Sequence, residues 1–184
     1  MLFTLGFVLY KRSFHHFFHR TWLLGCVLLL PSCQLLSETP RAVSVIQAKS
    51  GSNIQGSMSF IQSGSQVQVT GTFSGLSPNS EHGIHIHELG DCNAFDASSA
   101  GGHYNPGGNK HGNHNSIFSH AGDMPNIQVD DHGNASYIAT LNHFSLVGEQ
   151  NILGRSVVVH LNKDDYVSQP AGNSGERIGC GIIR

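Results

Sequence analysis

GSMSFIQSGSQVQVTGTF, residues 56–73, is the stretch whose pattern decides the fold. Met58 and Phe60 alternate with serines, and Val67, Val69 and then Phe73 alternate with Gln68, Thr70 and Thr72. Successive side chains on a strand point to opposite faces, so a period of two marks a half-buried strand. Ser63-Gly64-Ser65 interrupts the pattern, and a short glycine-containing link between two alternating runs predicts a hairpin. Upstream, Val43-Ser-Val45-Ile-Gln47 continues the alternation. Downstream, after the Pro-containing loop Gly75–His82, strand-like runs recur at Gly83–Glu88, Ile127–Asp130, Ala135–Ile138, Arg155–Leu161 and Arg177–Ile183, with a turn at Asp131-His-Gly133-Asn. No amphipathic helix, internal repeat or heptad interrupts them. The expectation is an all-β domain: an eight-stranded antiparallel Greek-key barrel or flattened sandwich. Two long loops, 89–124 and 162–176, exceed the usual connection length, so each is expected to be functional and clamped.

The 184 residues carry a net charge of −2. Three of the ten basic residues, Lys11, Arg12 and Arg20, lie in the first 32 positions, which hold no acid. The remainder has seven basic against twelve acidic residues, a net of −5. A weakly acidic body argues against nucleic acid as a partner. Residues 1–32 read as an export leader: a basic, His-rich stretch from Lys11 to Arg20, an apolar run from Thr21 to Leu30, then Pro31-Ser32-Cys33. The Leu30-Pro-Ser-Cys33 segment resembles a bacterial lipoprotein box, which makes Cys33 the lipidation candidate and implies a membrane tether on the periplasmic side. A leader cut near Ser32, an uncleaved signal anchor and a second, weaker box ending at Cys26 are the alternatives. Residues 33–41 then form a short tether and 42–184 the domain. Cys92 and Cys180 are the cysteines left, an even pair in an exported chain, so a disulfide is expected.

The chemistry is carried by His85 and His87 on one strand, His160 on another, and His103, His111, His120 and Asp123 in the first long loop. In Ile84-His85-Ile86-His87, alternation sends both isoleucines to one face and both histidines to the other. In Val157-Val158-Val159-His160, His160 shares a face with Val158 and meets that pair if the strands are neighbours. Imidazole is the commonest metal ligand near neutral pH. Three histidines fixed on strands make a preorganised site. Three imidazoles and a carboxylate in the loop are a full tetrahedral complement for zinc, and a closed zinc site is structural. Two metal sites sharing a wall are therefore expected.

The motifs GIHIHELGDC (83–92), SAGGHYNPGGNKHG (99–112), HAGD (120–123), GRSVVVH (154–160) and GNSGERIGCGII (172–183) resemble the copper/zinc superoxide dismutases of the bacterial, exported type, and the match spans about residues 37–184. The resemblance implies copper on His85, His87, His103 and His160, and zinc on His103, His111, His120 and Asp123, with His103 bridging the two. It further implies Asp164 as a carboxylate linking a copper-side to a zinc-side histidine, Arg177 beside the copper as the anion-guiding group, and a Cys92–Cys180 disulfide. Asp165 competes with Asp164 from the residues alone, although spacing from His160 favours Asp164. The implied activity is dismutation of superoxide to hydrogen peroxide and dioxygen in a periplasmic compartment. A metal-storing or copper-delivering relative without turnover is the competing class, but it would be expected to lose some ligands or Arg177, and none is missing. A zinc hydrolase would need a carboxylate base beside an open site. His114 is expected at the surface rather than as a rival zinc ligand, and His82, His132 and His143 as turn or surface residues. Whether Lys163 or Lys110 helps to steer the anion, and whether the chain is a monomer or a homodimer, stays open at this level.

Overall fold

A computed structural model describes residues 38–184. The leader of residues 1–32, the Cys26 and Cys33 readings, and the start of the tether lie outside the described residues. Among the described residues there are nine strands: β1 Arg41–Ala48, β2 Gln55–Ser63, β3 Gln66–Ser74, β4 Glu81–His82, β5 Ile84–His87, β6 Ile127–Gln128, β7 Ala135–Leu141, β8 Ser156–His160 and β9 Arg177–Ile182. A single 3₁₀ turn, Ser98–Ala100, is the one helical element among them. All pairings between these strands are antiparallel, as expected.

The ninth strand is β4, which forms within the segment Gly75–His82 expected to be a loop. Gly83 separates β4 from β5, donating its N–H to Asn162 O (2.8 Å) and accepting from His160 N (2.8 Å). The predicted hairpin at Ser63–Ser65 is present, with Ser63 paired to Gln66 across a two-residue link and Gly64 at φ 59°.

Seven strands form one sheet in the order β5-β8-β9-β1-β2-β3-β7, and β4 pairs with β6. The two sheets are continuous through the chain, since β4 runs on into β5 and β6 turns back into β7. That turn closes with a hydrogen bond from Asp130 N to Asn134 O (2.8 Å). Gly133 sits in it at φ 80°, where a Cβ would come within 2.5 Å of Leu76 O, so both backbone conformation and space demand glycine. The neighbours β3–β7 and β9–β1 are not consecutive in sequence, which gives the curled sheet its Greek-key character.

Inside the curl, Phe60, Met58, Val67, Val69, Phe73, Ile84, Ile86, Val157 and Val159 are buried in one core. Each such side chain contributes about 1.5–3 kcal/mol on leaving water. The opposite face of β8 and β9 buries Val158 and Cys180 with Ala97 and Ala100, under the first long loop. There Cys92 and Cys180 form the expected disulfide, 88 residues apart in sequence, tying that loop to β9.

Candidate metal centre

β5 is the last strand of the seven-stranded sheet, and both of its edges serve the site. One edge pairs with β8, His85 opposite Val158, which makes His160 the diagonal neighbour of His85. The other edge takes up the loop. His103 bridges to His87 and Asp123 bridges to His85, held by Tyr104 N to Ile86 O (2.8 Å) and Ile86 N to Gly122 O (2.9 Å). The long first loop is thus anchored as a broken extension of the sheet, with two of its donors set beside two strand histidines.

His85, His87, His103 and His160 bring one ring nitrogen each to within 4.8 Å of one another. In each ring the other nitrogen is already engaged. His85 Nε2 lies 2.9 Å from Asp164 Oδ2, His87 Nδ1 3.0 Å from Gly101 O, His160 Nδ1 3.3 Å from Gly175 O, and His103 Nδ1 2.9 Å from Asp123 Oδ1. The nitrogens left over are His85 Nδ1, His87 Nε2, His103 Nε2 and His160 Nε2, all buried and without a hydrogen-bond partner. Buried polar atoms are ordinarily satisfied. Four convergent imidazole lone pairs left unpaired fit a nitrogen-loving ion such as copper.

A second group shares the His103 ring. Asp123 Oδ1 is 2.9 Å from His103 Nδ1, 3.1 Å from His111 Nδ1 and 3.3 Å from His120 Nδ1, and the His103 and His120 Nδ1 atoms are 3.4 Å apart. Zinc bonds of 2.0–2.1 Å in tetrahedral geometry put ligand atoms about 3.3 Å apart, so this donor set fits zinc. His85 also lies within 4.8 Å of His103, His111 and Asp123. Its Nε2 is committed to Asp164, however, and its Nδ1 belongs with the first group. The ring of His103 is therefore the wall between the two groups, with Nδ1 in one and Nε2 in the other.

Asp164 spans the same wall from behind, placing Oδ2 2.9 Å from His85 Nε2 and Oδ1 2.9 Å from His111 Nε2. Asn126 holds its backbone, donating to Asp164 O and accepting from Asp164 N, both at 2.9 Å. Asp165 acts elsewhere. Its oxygens accept from Val167 N, Ser168 N, Ser168 Oγ and Asn173 Nδ2, bracing the second loop. Gly172, at φ 64°, lies over the Asp164 link. A Cβ there would fall 1.8 Å from Asp164 Oδ1 and 2.8 Å from His111 Nε2.

Arg177 reaches the first group through a β-bulge. Val159 pairs with Gly179, but His160 pairs with Arg177, so Ile178 is the extra residue. The guanidinium donates from Nη1 to Ala97 O (2.7 Å) and from Nη2 to Gly101 O (2.8 Å), the carbonyl that also meets His87 Nδ1. Its charge is felt at both His87 and His160.

His82 corrects the sequence reading. It is buried rather than at a turn surface, with Nδ1 2.9 Å from His160 O and Nε2 2.8 Å from Ser80 Oγ, and so it props the backbone of His160. His132 is exposed, as expected. His143 is half-buried, and so is His114, which packs edge-on to Tyr166 with ring centroids 5.8 Å apart and belongs to neither donor group. Lys110 and Lys163 are both exposed.

Burial and the neighbouring imidazoles His103 and His160 push the pKa values of His85 and His87 well down. Burial also lowers His103, and lowers His160 to about 4. Burial alone would lower His111, but hydrogen bonds to Asp123 and Asp164 raise it to about 9. Burial alone would raise the Asp123 carboxyl, yet hydrogen bonds from His103, His111 and His120 hold it below the usual carboxylate range.

These shifts set the pH dependence of the metal-free protein. Between an unfolded value of about 6.5 and about 4, the folded state binds fewer protons at His160, so stability falls as pH drops through that window. The stabilisation from His111 is complete below the unfolded value of about 6.5 and lost as pH rises through about 9. Metal-free protein is expected to be most stable near pH 6.5. Urea-unfolding midpoints from pH 4 to 9 measure this, and a midpoint climbing steadily from 6.5 to 9 would contradict the arrangement of His111.

The profile of the family described as copper/zinc superoxide dismutase (SODC) matches residues 54–183, most of the chain. The chain belongs to the copper/zinc superoxide dismutase family. Superoxide dismutase [Cu-Zn] 2 of Aquifex aeolicus is 47% identical over 135 residues, covering 70% of this chain and 78% of that protein. Superoxide dismutase [Cu-Zn] 1 of the same organism is 41% identical over 169 residues, covering 89% and 98%. Among solved structures, the crystal structure of the clock protein EA4 superposes with a TM-score of 0.73 at 34% identity, covering 80% of this chain and 95% of that one. The superoxide dismutase fold and the two donor groups thus coincide in one chain. The structure brings together the seven donor residues that the sequence singles out, with Asp164 and Arg177, which the resemblance implies, beside them. The roles of Asn126 and His82 are not legible in the sequence, because a loop amide or a histidine beside a glycine carries no periodic or spacing signal.

Proposed function

We propose that this chain dismutates superoxide with copper held by His85, His87, His103 and His160 and zinc held by His103, His111, His120 and Asp123. The observation that carries this reading is the His103 ring, which offers Nδ1 to one donor group and an unpartnered, buried Nε2 to the other. When bound, copper supplies one-electron exchange with superoxide, and zinc supplies a fixed positive charge and local order. The balance is two superoxide anions and two protons to one dioxygen and one hydrogen peroxide.

The residues of the chain provide what the metals cannot. Arg177, clamped to two carbonyls, presents a fixed positive charge that draws a small anion toward His87 and His160. His103 Nε2 is the atom at which a proton can be held and passed on. Asp164 fixes the tautomers of His85 and His111 together, as a carboxylate behind a ligand histidine commonly does. The hydrogen bonds of His87 to Gly101 and of His160 to Gly175 orient the remaining rings.

Protein loaded with both metals should dismutate superoxide, and metal analysis alongside the assay tests the reading. Loaded but inactive protein would favour a storage role. Arg177→Ala is expected to lower kcat/KM about 10-fold, to flatten its dependence on ionic strength, and to keep both metals. Stopped-flow decay of superoxide at several salt concentrations measures both effects. Residues 1–32 support export, with Cys33 as the lipidated first residue of the mature protein and a periplasmic setting. Mass spectrometry of the mature N-terminus decides this point.

A further inference from the structure

Three of the four zinc-side donors have main chains held by the sheet edge or by another donor of the group. His103 and Asp123 hang on β5 by bridges, and His120 N donates to Asp123 Oδ2 at 3.1 Å. His111 is different. It lies on no strand, it is buried, and its main-chain N–H and C=O are both bonded to a single side chain from the other loop. Gln169 Oε1 accepts from His111 N at 2.9 Å, and Gln169 Nε2 donates to His111 O at 2.8 Å. The amide thus stands in for the strand that His111 lacks. The arm that carries it is rigid: Asp165 gathers Val167 N, Ser168 N, Ser168 Oγ and Asn173 Nδ2, and Gly172 N donates to Ser168 O at 2.7 Å.

We propose that Gln169 is a positioning residue for the zinc-side group, gripping both main-chain polar atoms of His111 so that the 161–176 loop fixes where that ligand stands. This rests on the metal assignment above. The same loop meets His111 twice, at its main chain through Gln169 and at its ring Nε2 through Asp164. With Nδ1 turned to the metal position, every polar atom of His111 is engaged. Removing the amide would leave the main-chain N–H and C=O of His111 without their protein partner and release the ligand from the loop, while the hydrogen bonds that orient the copper-side rings of His85, His87 and His160 stay in place.

The test uses full-length mature protein loaded with copper and with cobalt(II) in place of zinc, because cobalt(II) absorption reports the geometry of its ligands. Gln169→Met, close in length but unable to hydrogen-bond, is expected to release cobalt(II) or zinc to a chelator about 10–100-fold faster. Its cobalt bands should shift, while copper release stays within about twofold of wild type. Gln169→Glu keeps an acceptor for His111 N and loses the donor to His111 O, and should move both readouts in the same direction even if the methionine variant folds poorly. Unchanged release and unchanged cobalt bands would overturn the proposal. So would equal acceleration of both metals' release, which would mark a general folding defect. Wild-type protein that takes up no metal on the zinc side would fail the metal assignment itself, and is told apart by showing no cobalt bands before any substitution.

Discussion

His160→Ala is expected to abolish copper retention and with it superoxide dismutation, while zinc stays bound. His160 is the last residue of β8, and its ring is buried with Nε2 turned inward and Nδ1 toward Gly175 O. Alanine removes one of the four convergent nitrogens and leaves a gap where the ring stood. The zinc-side donors share no atom with His160, so their distances to Asp123 Oδ1 need not change. Elemental analysis after dialysis against chelator gives the two metals separately, and activity should fall to the level of free solution. Retention of stoichiometric copper by the variant would show that His160 is not a ligand. Loss of both metals together would show that the two groups are not separable as drawn.

The second large effect concerns stability. Cys92→Ser, or reduction of the bond, is expected to destabilise the metal-free protein by about 4–5 kcal/mol, on the chain-entropy estimate for a closed loop of this length. The loss should extend beyond the bond. Cys180 packs with Val158, Ala97 and Ala100, and the carbonyl of Ala97 holds Arg177. Freed from β9, the first loop would no longer hold Ala97 O and Gly101 O against the Arg177 guanidinium, and the side chain proposed to guide the anion would lose its fixed position before any ligand moved. Urea unfolding of the reduced and oxidised metal-free forms measures the first effect. Activity of reduced, metal-loaded protein at low salt measures the second, and it should fall further than the copper content does. A midpoint unchanged on reduction would mean that the disulfide does not hold this loop.

Much of this architecture is legible in the residues themselves. The alternation from Gly56 to Phe73 marks β2 and β3 nearly to their ends, because those strands bury one face only and expose the other. In β1 the phase is the opposite of the one read from its valines: Val43 and Val45 face outward, and Ala42, Ser44 and Ile46 are buried. β5 and β8 are legible for another reason: Ile84, Ile86, Val157 and Val159 face the core, and the histidines stand out as polar residues in a buried run. All four residues of β5 are buried, however, because the loops cover the face that alternation alone assigns to solvent. Register is what the sequence does not carry. The bulge at Ile178 that sets Arg177 opposite His160 has no sequence signature, nor does the two-residue strand β4 within the segment read as loop. Side chains that substitute for backbone, such as Asn126 beneath Asp164 and Gln169 beside His111, are equally silent, since one amide in a polar loop reads like any other.

Gly172 carries a consequence for how this protein tolerates change. The space above its Cα is already filled by the Asp164 carboxylate and the His111 ring, so every residue larger than hydrogen is excluded there. In a saturation screen scored by growth under oxidative stress, this position would rank with the ligands themselves although it offers no donor atom. A tolerance map of the chain would thus outline the shape of the packing around the ions as sharply as the chemistry within it.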